Sequence, residues 1–383
     1  MWIPLLFLAI SIHSDFDGGS IGKVTQVSED HLRLALQGDR DQDGRNRQAN
    51  WYYFRVDGAK GKAVMLDLVD LPGEYNYKPN RGAVTGDTPP WWSEDGVHWK
   101  PVAGAEYDAG EPHMRLKMNP SGDRFWVAHV PPYTNADLKK LMNETKLKPE
   151  LIGKSAGERP LVLLTITDRS VPDDGKKVLW WMFRQHAWEA GSSWAAEGMI
   201  RFLASADPKA AEIRRRAVIK ILPMCDPDGV AEGKVRFNHF GFDLNRNWDT
   251  AEPSHMPETY AQRKAVEDWL AGGHRIDFFL SLHNTETGEY VDGPAGPLLE
   301  RFSKLLGDSK YFAPSRKPAV METTADKGRL NVAMYLYGVR KVPAFLMEQR
   351  ISKHPKLGRQ PTPEDRKAFG RELFLAAWEG VQQ

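Results

Sequence analysis

A histidine and a glutamate three residues apart, His186 and Glu189, follow an apolar run in the segment VLWWMFRQHAWEAGSSW. One imidazole nitrogen and one carboxylate oxygen from such a pair can reach a single zinc ion, each at roughly 2.0 to 2.2 Å. The H-x-x-E spacing alone is weak evidence, because a charge-rich chain with 11 histidines produces about one such pair by chance. A catalytic zinc needs a third protein ligand and an open position for water. The segment RIDFFLSLHNTETGEY offers His283, which leaves the run Phe278 to Leu282 on the same edge as His186 if both runs are parallel strands. His274 precedes that run and would exit at the opposite edge, while His239 and His255 sit in polar connecting sequence and read as solvated. Position and ligand chemistry thus select His186, Glu189 and His283 for one Zn2+ per chain.

Between these segments lies CDPDGVAEGKVRFNHFGFDLNRNWD. Asn245 and Arg246 set an amide beside a guanidinium, and Arg236 adds a cation upstream. A guanidinium pairs a carboxylate through two parallel hydrogen bonds, which makes a terminal carboxylate the natural ligand. For this segment taken alone, a structural ion pair between Asp243 and Arg246 is the better reading.

The elements that would position these groups divide at about residue 130. From 13 to 130 the runs HLRLALQ, NWYYFRV, KAVMLDLVDL and RFWVAHV are short and aromatic or β-branched, which predicts an all-β, sandwich-like domain. Between Leu71 and Pro101, dense Pro and Gly predict a long loop in which Trp91, Trp92 and Trp99 pack. From 131 to 383 the apolar runs LVLLTI, VLWWMF, AVIKILPM and DFFLSL alternate with helical stretches such as PETYAQRKAVEDWLAG. This pattern predicts an α/β fold, a mixed and largely parallel sheet flanked by helices. Its first helix would be capped by Thr134 with Asp137 three residues on, and the helix after Glu189 by Ser192 or Ser193.

Bulk properties set limits. The 383 residues exceed one ordinary core and fit two domains. With 52 Lys+Arg against 51 Asp+Glu the chain carries no bulk field for nucleic acid or anionic membrane. One cysteine, Cys225, excludes an internal disulfide and an all-cysteine metal site. Residues 1–12 open with an apolar run too short to span a bilayer, which reads equally as a cleaved leader or a first buried strand and leaves the compartment, cytoplasmic or exported, open. DRDQDGRNRQAN starts like a calcium loop, but Asn50 stands at the twelfth position and strands flank it, so a polar hairpin is expected.

In chain order, HAWE, PDG, DLNRNW, a strand ending in LH and a strand ending in ME resemble the zinc carboxypeptidases of the carboxypeptidase A type. RQHAWEAGSSW is similar to the H-P-G-E-x-x-x-S-W signature of their cytosolic carboxypeptidase, deglutamylase-like branch. NWYYFRV and PPYTNADL resemble that branch's amino-terminal β-domain and its junction. The resemblance implies that His186, Glu189 and His283 hold zinc, and that Glu348 in VPAFLMEQR is the catalytic acid/base. It also implies that Arg236, Asn245 and Arg246 hold the substrate's terminal carboxylate and polarise the scissile carbonyl, Arg236 with zinc stabilising the oxyanion. Without it, Glu348 would read as a solvated strand-end carboxylate. The chain departs from the branch at Asp226, usually Asn, and at Ala187 and Trp188, usually Pro-Gly, where Trp188 could narrow the mouth of the site. Tyr311, Tyr335 and Tyr337 are the candidates for a substrate-capping tyrosine, and Lys327 and Arg329 for contact with an acidic side chain.

The implied reaction is hydrolysis of the last peptide bond of a peptide or protein tail, with acidic residues as one preference. The competing activity is a zinc amidase acting on small N-acyl amino acids or peptidoglycan stem peptides. A silent binding module built on the β-domain is a third reading, opposed by the intact ligand set and Glu348.

Overall fold

The computed structural model describes residues 9–382. The first eight residues of the leader segment therefore lie outside the described residues. The described chain divides into two compact units, one running to Pro132 and taking in Ala231–Val235, the other holding Tyr133–Val230 and the chain from Arg236 onward. The small excursion is fixed by hydrogen bonds: the Gly18 N–H donates to Ala231 O at 3.0 Å, and the Val235 N–H to the Asp39 carboxylate Oδ2 at 3.2 Å.

The first unit is built from short strands: β1 (Ser11–His13), β2 (Val24–Ser28), β3 (His31–Ala35), β4 (Tyr53–Asp57), β5 (Val64–Val69) and β6 (Gly73–Tyr75). They continue as β7 (Lys78–Asn80), β8 (Trp91–Ser93), β9 (Lys100–Pro101), β10 (Glu106–Asp108), β11 (His113–Met118) and β12 (Arg124–Ala128). Two five-stranded sheets, in the orders β1-β4-β12-β8-β9 and β10-β11-β5-β3-β2, share one apolar core. Period-2 alternation decides what enters it. Phe54, Val56, Phe125 and Val127 come from the first sheet, and Leu32, Leu34, Leu66, Leu68, Met114 and Leu116 from the second. The 71–101 segment is not the long loop its composition predicted. It contains the β6–β7 hairpin, and β8 pairs with β12, in strands too short to show alternation. Trp91 is fully buried and Trp99 meets the Tyr53 ring edge-on at 5.7 Å, so these tryptophans pack.

The second unit carries β13 (Glu150–Lys154), β14 (Pro160–Ile166), β15 (Lys177–Phe183), β16 (Ala217–Leu222), β17 (Phe278–Thr285), β18 (Tyr290–Gly293), β19 (Ala319–Val320) and β20 (Ala344–Arg350). Its sheet order is β13-β14-β16-β15-β17-β20-β18-β19, with β16, β15, β17 and β20 mutually parallel. The helices are α1 (Asn135–Thr145), α2 (Ala190–Ala204), α3 (Pro208–Arg216), α4 (Pro227–Ala231), α5 (Pro257–Ala271), α6 (Pro297–Gly307), α7 (Val332–Gly338) and α8 (Pro363–Gly380). Both sheet faces are covered, which is why β15 reads as an unbroken apolar run. Trp180 and Met182 join the cluster that includes Val266 of α5 and Leu336 of α7, while Trp181 packs on Phe374 of α8 at 5.7 Å. Among the described residues no helix is long and apolar enough to cross a membrane.

Two local features steady the edge that matters below. Helix α1 begins with the expected capping box, Thr134 with Asp137. Helices α2 and α8 cross at Gly198 and Gly370, where an added Cβ would lie 1.9 Å from Lys367 O or Ala195 O, so only glycine permits that approach.

Candidate metal centre

Strand β15 ends at Phe183, and the chain turns at Arg184, which takes a left-handed backbone with φ 58°. Such a conformation costs energy in a non-glycine residue and has to be held by its surroundings. The buried Arg184 guanidinium holds it, donating through Nε to Ala187 O at 2.8 Å and through Nη1 to Ser193 Oγ at 3.1 Å. Burial lowers its pKa to about 10, against the charges of Glu189 and Asp226, which favour the cation. Asp226, the departure from the usual Asn, thus sets a carboxylate near a buried guanidinium. The α2 cap is Glu189 itself, not Ser192 or Ser193. Ser192 Oγ instead accepts from Arg184 N–H at 3.2 Å and donates to Glu189 O at 2.8 Å, so the serines fasten the loop from inside the first turn.

His186, Glu189 and His283 come together, their ligand atoms all within 4.8 Å of one another. All three are buried. Glu189 lies between the imidazoles, Oε1 at 2.7 Å from His186 Nδ1 and Oε2 at 3.0 Å from His283 Nδ1. The far nitrogens are also engaged. His186 Nε2 meets Asp243 Oδ1 at 3.0 Å, and His283 Nε2 meets Ser281 Oγ at 2.8 Å and the Asn245 amide at 3.2 Å. Ser281 Oγ in turn donates to Gln185 Oε1 at 2.7 Å. With both Nε2 atoms held, both Nδ1 atoms face Glu189. Two imidazoles and a carboxylate, with outer partners fixing the rings, form the donor set that suits zinc. His274 does not join them; it stacks on Trp269 at 4.2 Å, and His239 and His255 are exposed.

The electrostatics follow from burial and from these neighbours. Burial opposes ionisation of Glu189, yet the two imidazoles outweigh it and hold its carboxyl down at about 2. For Asp243 burial is again overcome, by Arg236 and His186, and its pKa falls well below the usual range. Glu348 goes the other way. Burial, then the charge of Glu189, push it well above an ordinary carboxyl.

Strand register brings Glu348 to the centre, since β17 and β20 pair His283 with Glu348 directly. Its Oε2 is buried and, among the described residues, accepts no hydrogen bond. Arg236 donates from Nε to Asp243 Oδ2 at 2.8 Å, so the ion pair in this segment is Asp243 with Arg236, not with Arg246. Asn245 is committed inward: Oδ1 accepts from Val332 N–H at 3.1 Å while Nδ2 faces His283. The Arg246 guanidinium donates to Asn245 O at 2.8 Å and, among the described residues, forms no ion pair.

Of the tyrosine candidates, Tyr335 is tied to Glu267 and Arg340 between α7 and α5. Tyr290, which sequence reasoning passed over, pairs with Glu348 in register, and burial followed by the charge of Glu348 raise its pKa to about 12. Lys327 and Arg329 are exposed, on a segment joined to the DLNRNW stretch through Asn247 N–H to Gly328 O at 3.0 Å. Trp188 is buried. In the first unit, Asp41 accepts from Asp43 N–H, Arg45 N–H and Asn46 Nδ2 at 3.1, 2.8 and 2.6 Å, a self-satisfied polar turn.

Residues 135–290 match the zinc carboxypeptidase family, and residues 12–129 match the cytosolic carboxypeptidase N-terminal domain. The chain carries a zinc carboxypeptidase domain behind a cytosolic carboxypeptidase N-terminal domain. It is accordingly a metallocarboxypeptidase, a hydrolase for which zinc is the expected metal. An uncharacterized protein of Zymomonas mobilis is 26% identical over 98% of both chains. Cytosolic carboxypeptidase 6 of Mus musculus is 27% identical over 71% of this chain and 52% of its own length, so the carboxypeptidase described here spans about half of that relative. Among solved structures, a metallo-carboxypeptidase from Burkholderia cenocepacia shares the fold with a TM-score of 0.82, at 23% identity over 98% of this chain and 99% of that one. Another, from Pseudomonas aeruginosa and solved with (2-guanidinoethylmercapto)succinic acid, has a TM-score of 0.78 at 23% identity, over 97% of this chain and 100% of that one.

Proposed function

We propose that His186, Glu189 and His283 hold one zinc ion and that the chain hydrolyses the last peptide bond of peptides or protein tails, with Glu348 as acid and base. The observation that carries this reading is a buried, unpartnered carboxylate oxygen of Glu348, on the strand position paired with His283. When bound, zinc supplies Lewis acidity and brings the pKa of a coordinated water toward about 7. Glu348 then accepts a proton from the attacking water and delivers it to the departing amine. Asp243 and the Ser281–Gln185 chain keep the imidazoles turned with Nδ1 inward. Arg236, fixed at Nε by Asp243, sets a cation beside the site where negative charge develops on the scissile carbonyl. Arg246 takes the terminal carboxylate, and Asn245 positions His283 and the start of α7.

Acidic terminal residues are the preferred class in this proposal. The support is the pair of exposed cations, Lys327 and Arg329, on the segment hydrogen-bonded beside Arg246. Release of terminal residues from peptides ending in Glu, Lys and Phe tests it: Glu is expected to leave fastest, and a clear preference for Phe contradicts the acidic assignment while leaving the hydrolase intact.

A further inference from the structure

Lysine 220 stands in the middle of β16, in the sequence AVIKIL, every residue of which is buried. A lysine there is costly unless its charge is matched. Lys220 is 7% exposed, and among the described residues its ammonium makes no hydrogen bond. The nearest carboxylate oxygen, Glu150 Oε2, is 3.9 Å away on a side chain 61% exposed to solvent. The ammonium instead lies over the rings of Trp269 at 4.7 Å and Trp180 at 5.9 Å. Around it is a cavity of about 400 Å³ between α5 and the outer strands, walled by Leu151, Ile152, Leu163, Ala265 and the two indoles. At the rim Lys264 is already matched by Asp268, at 2.7 Å to both carboxylate oxygens. The cavity therefore combines apolar walls with a polar rim of Glu150, Lys264, Asp268 and His274, one poorly matched buried cation and a volume within the roughly 300 to 1,000 Å³ of small-ligand pockets. None of His186, Glu189, His283 and Glu348 lines it.

We propose that this cavity is a second ligand site, separate from the metal centre, which takes a small organic carboxylate with an aromatic or branched apolar body. The carboxylate accepts the hydrogen bonds that Lys220 lacks, and the body lies against the Trp269 indole and the α5 alanines. Burial lowers the Lys220 pKa, as expected of an ammonium waiting for a counter-charge.

The test is calorimetric titration of the zinc-loaded full chain with 3-phenylpropionate, in the wild type, Lys220→Met and Arg246→Ala. Arg246→Ala is included because the same compound suits a terminal-carboxylate site. The expected result is a binding event absent from Lys220→Met, whose peptidase activity stays at the wild-type level, and present in Arg246→Ala. On the wild type, 3-phenyl-1-propanol, the same body without charge, binds this site at least about tenfold more weakly. An event that survives Lys220→Met and vanishes in Arg246→Ala assigns all binding to the metal centre and overturns the proposal. So does an alcohol that binds the cavity as well as the acid, a comparison that needs no variant.

Discussion

The two compact units bury different things. In the β-unit the centre is apolar, with Leu32, Leu66, Phe54 and Phe125 meeting between sheets. Its buried carboxylate Asp67 is matched at once by Arg115 at 2.7 Å and His31 at 2.8 Å. In the second unit one sheet edge collects His186, Glu189, Asn245, Ser281, His283 and Asn284, all buried, beside Glu348 with its unmatched oxygen. Burying so many polar groups is tolerable only when most are hydrogen-bonded, and the unmatched Glu348 oxygen stands out because it lies beside the candidate ligand set, where a substrate or ion would complete it. The lesson is that stability and chemistry are segregated in this chain: substitutions in the first unit should move folding, and substitutions at the edge should move metal and turnover.

The sharpest break of that contrast is His186→Ala. It is expected to reduce zinc from about one per chain to near zero and peptidase turnover by on the order of 10⁴-fold or more, with little change in the urea unfolding of the β-unit. Metal analysis beside a turnover assay checks it. Glu348→Gln should keep zinc and lose about 10²- to 10⁴-fold in kcat, and full residual turnover would remove Glu348 from its role. In the β-unit, Phe54→Ala empties a fully buried position and should cost about 3 to 5 kcal/mol in urea unfolding while zinc content stays unchanged.

A pH experiment sharpens the same contrast. His129 is buried against Tyr52 and hydrogen-bonds Asn50 O, and burial lowers its pKa to about 4. Its unfolded value is higher, near 6.5, so the unfolded chain takes up the proton first. The stabilisation is complete above about pH 6.5 and is lost as pH falls through about 4, with a total of about 3 kcal/mol. Between pH 7 and 4, His129→Phe should lose less stability than the wild type; an equal loss in both removes His129 as a source. The smallest expected effect is that of Asp243→Asn, which weakens the hold on His186 and on Arg236 and should lower zinc affinity about 10- to 100-fold in a chelator competition.

That His186, Glu189 and His283 would meet was legible because metal chemistry demands rare residue types at strand ends, and long apolar runs announced which strands those were. The α/β character was legible for the same reason: a strand covered on both faces, such as β15, cannot hide its pattern. Other features depend on contacts between distant residues. The cap of α2 fell to Glu189 because Arg184, held left-handed, turns the chain so that Ser192 points back into the loop. β8 exists only through its pairing with β12 on one side and β9 on the other. Asp243 looked like a partner for Arg246, since sequence spacing cannot tell which of two cations will face it or that His186 will stand on its other side. Tyr290 carried no motif, and only the antiparallel register of β18 on β20 sets it opposite Glu348.

In the function proposed for this chain, one metal held by His186, Glu189 and His283 serves hydrolysis of terminal peptide bonds. Its most direct test is zinc content and release of terminal residues by the same protein sample, before chelation, after removal of metal with a chelator, and after zinc is added back. The account predicts about one zinc per chain, loss of peptidase activity with the metal and its return with zinc, in the wild type but not in His283→Ala. Undiminished peptidase activity in the metal-free protein would contradict it.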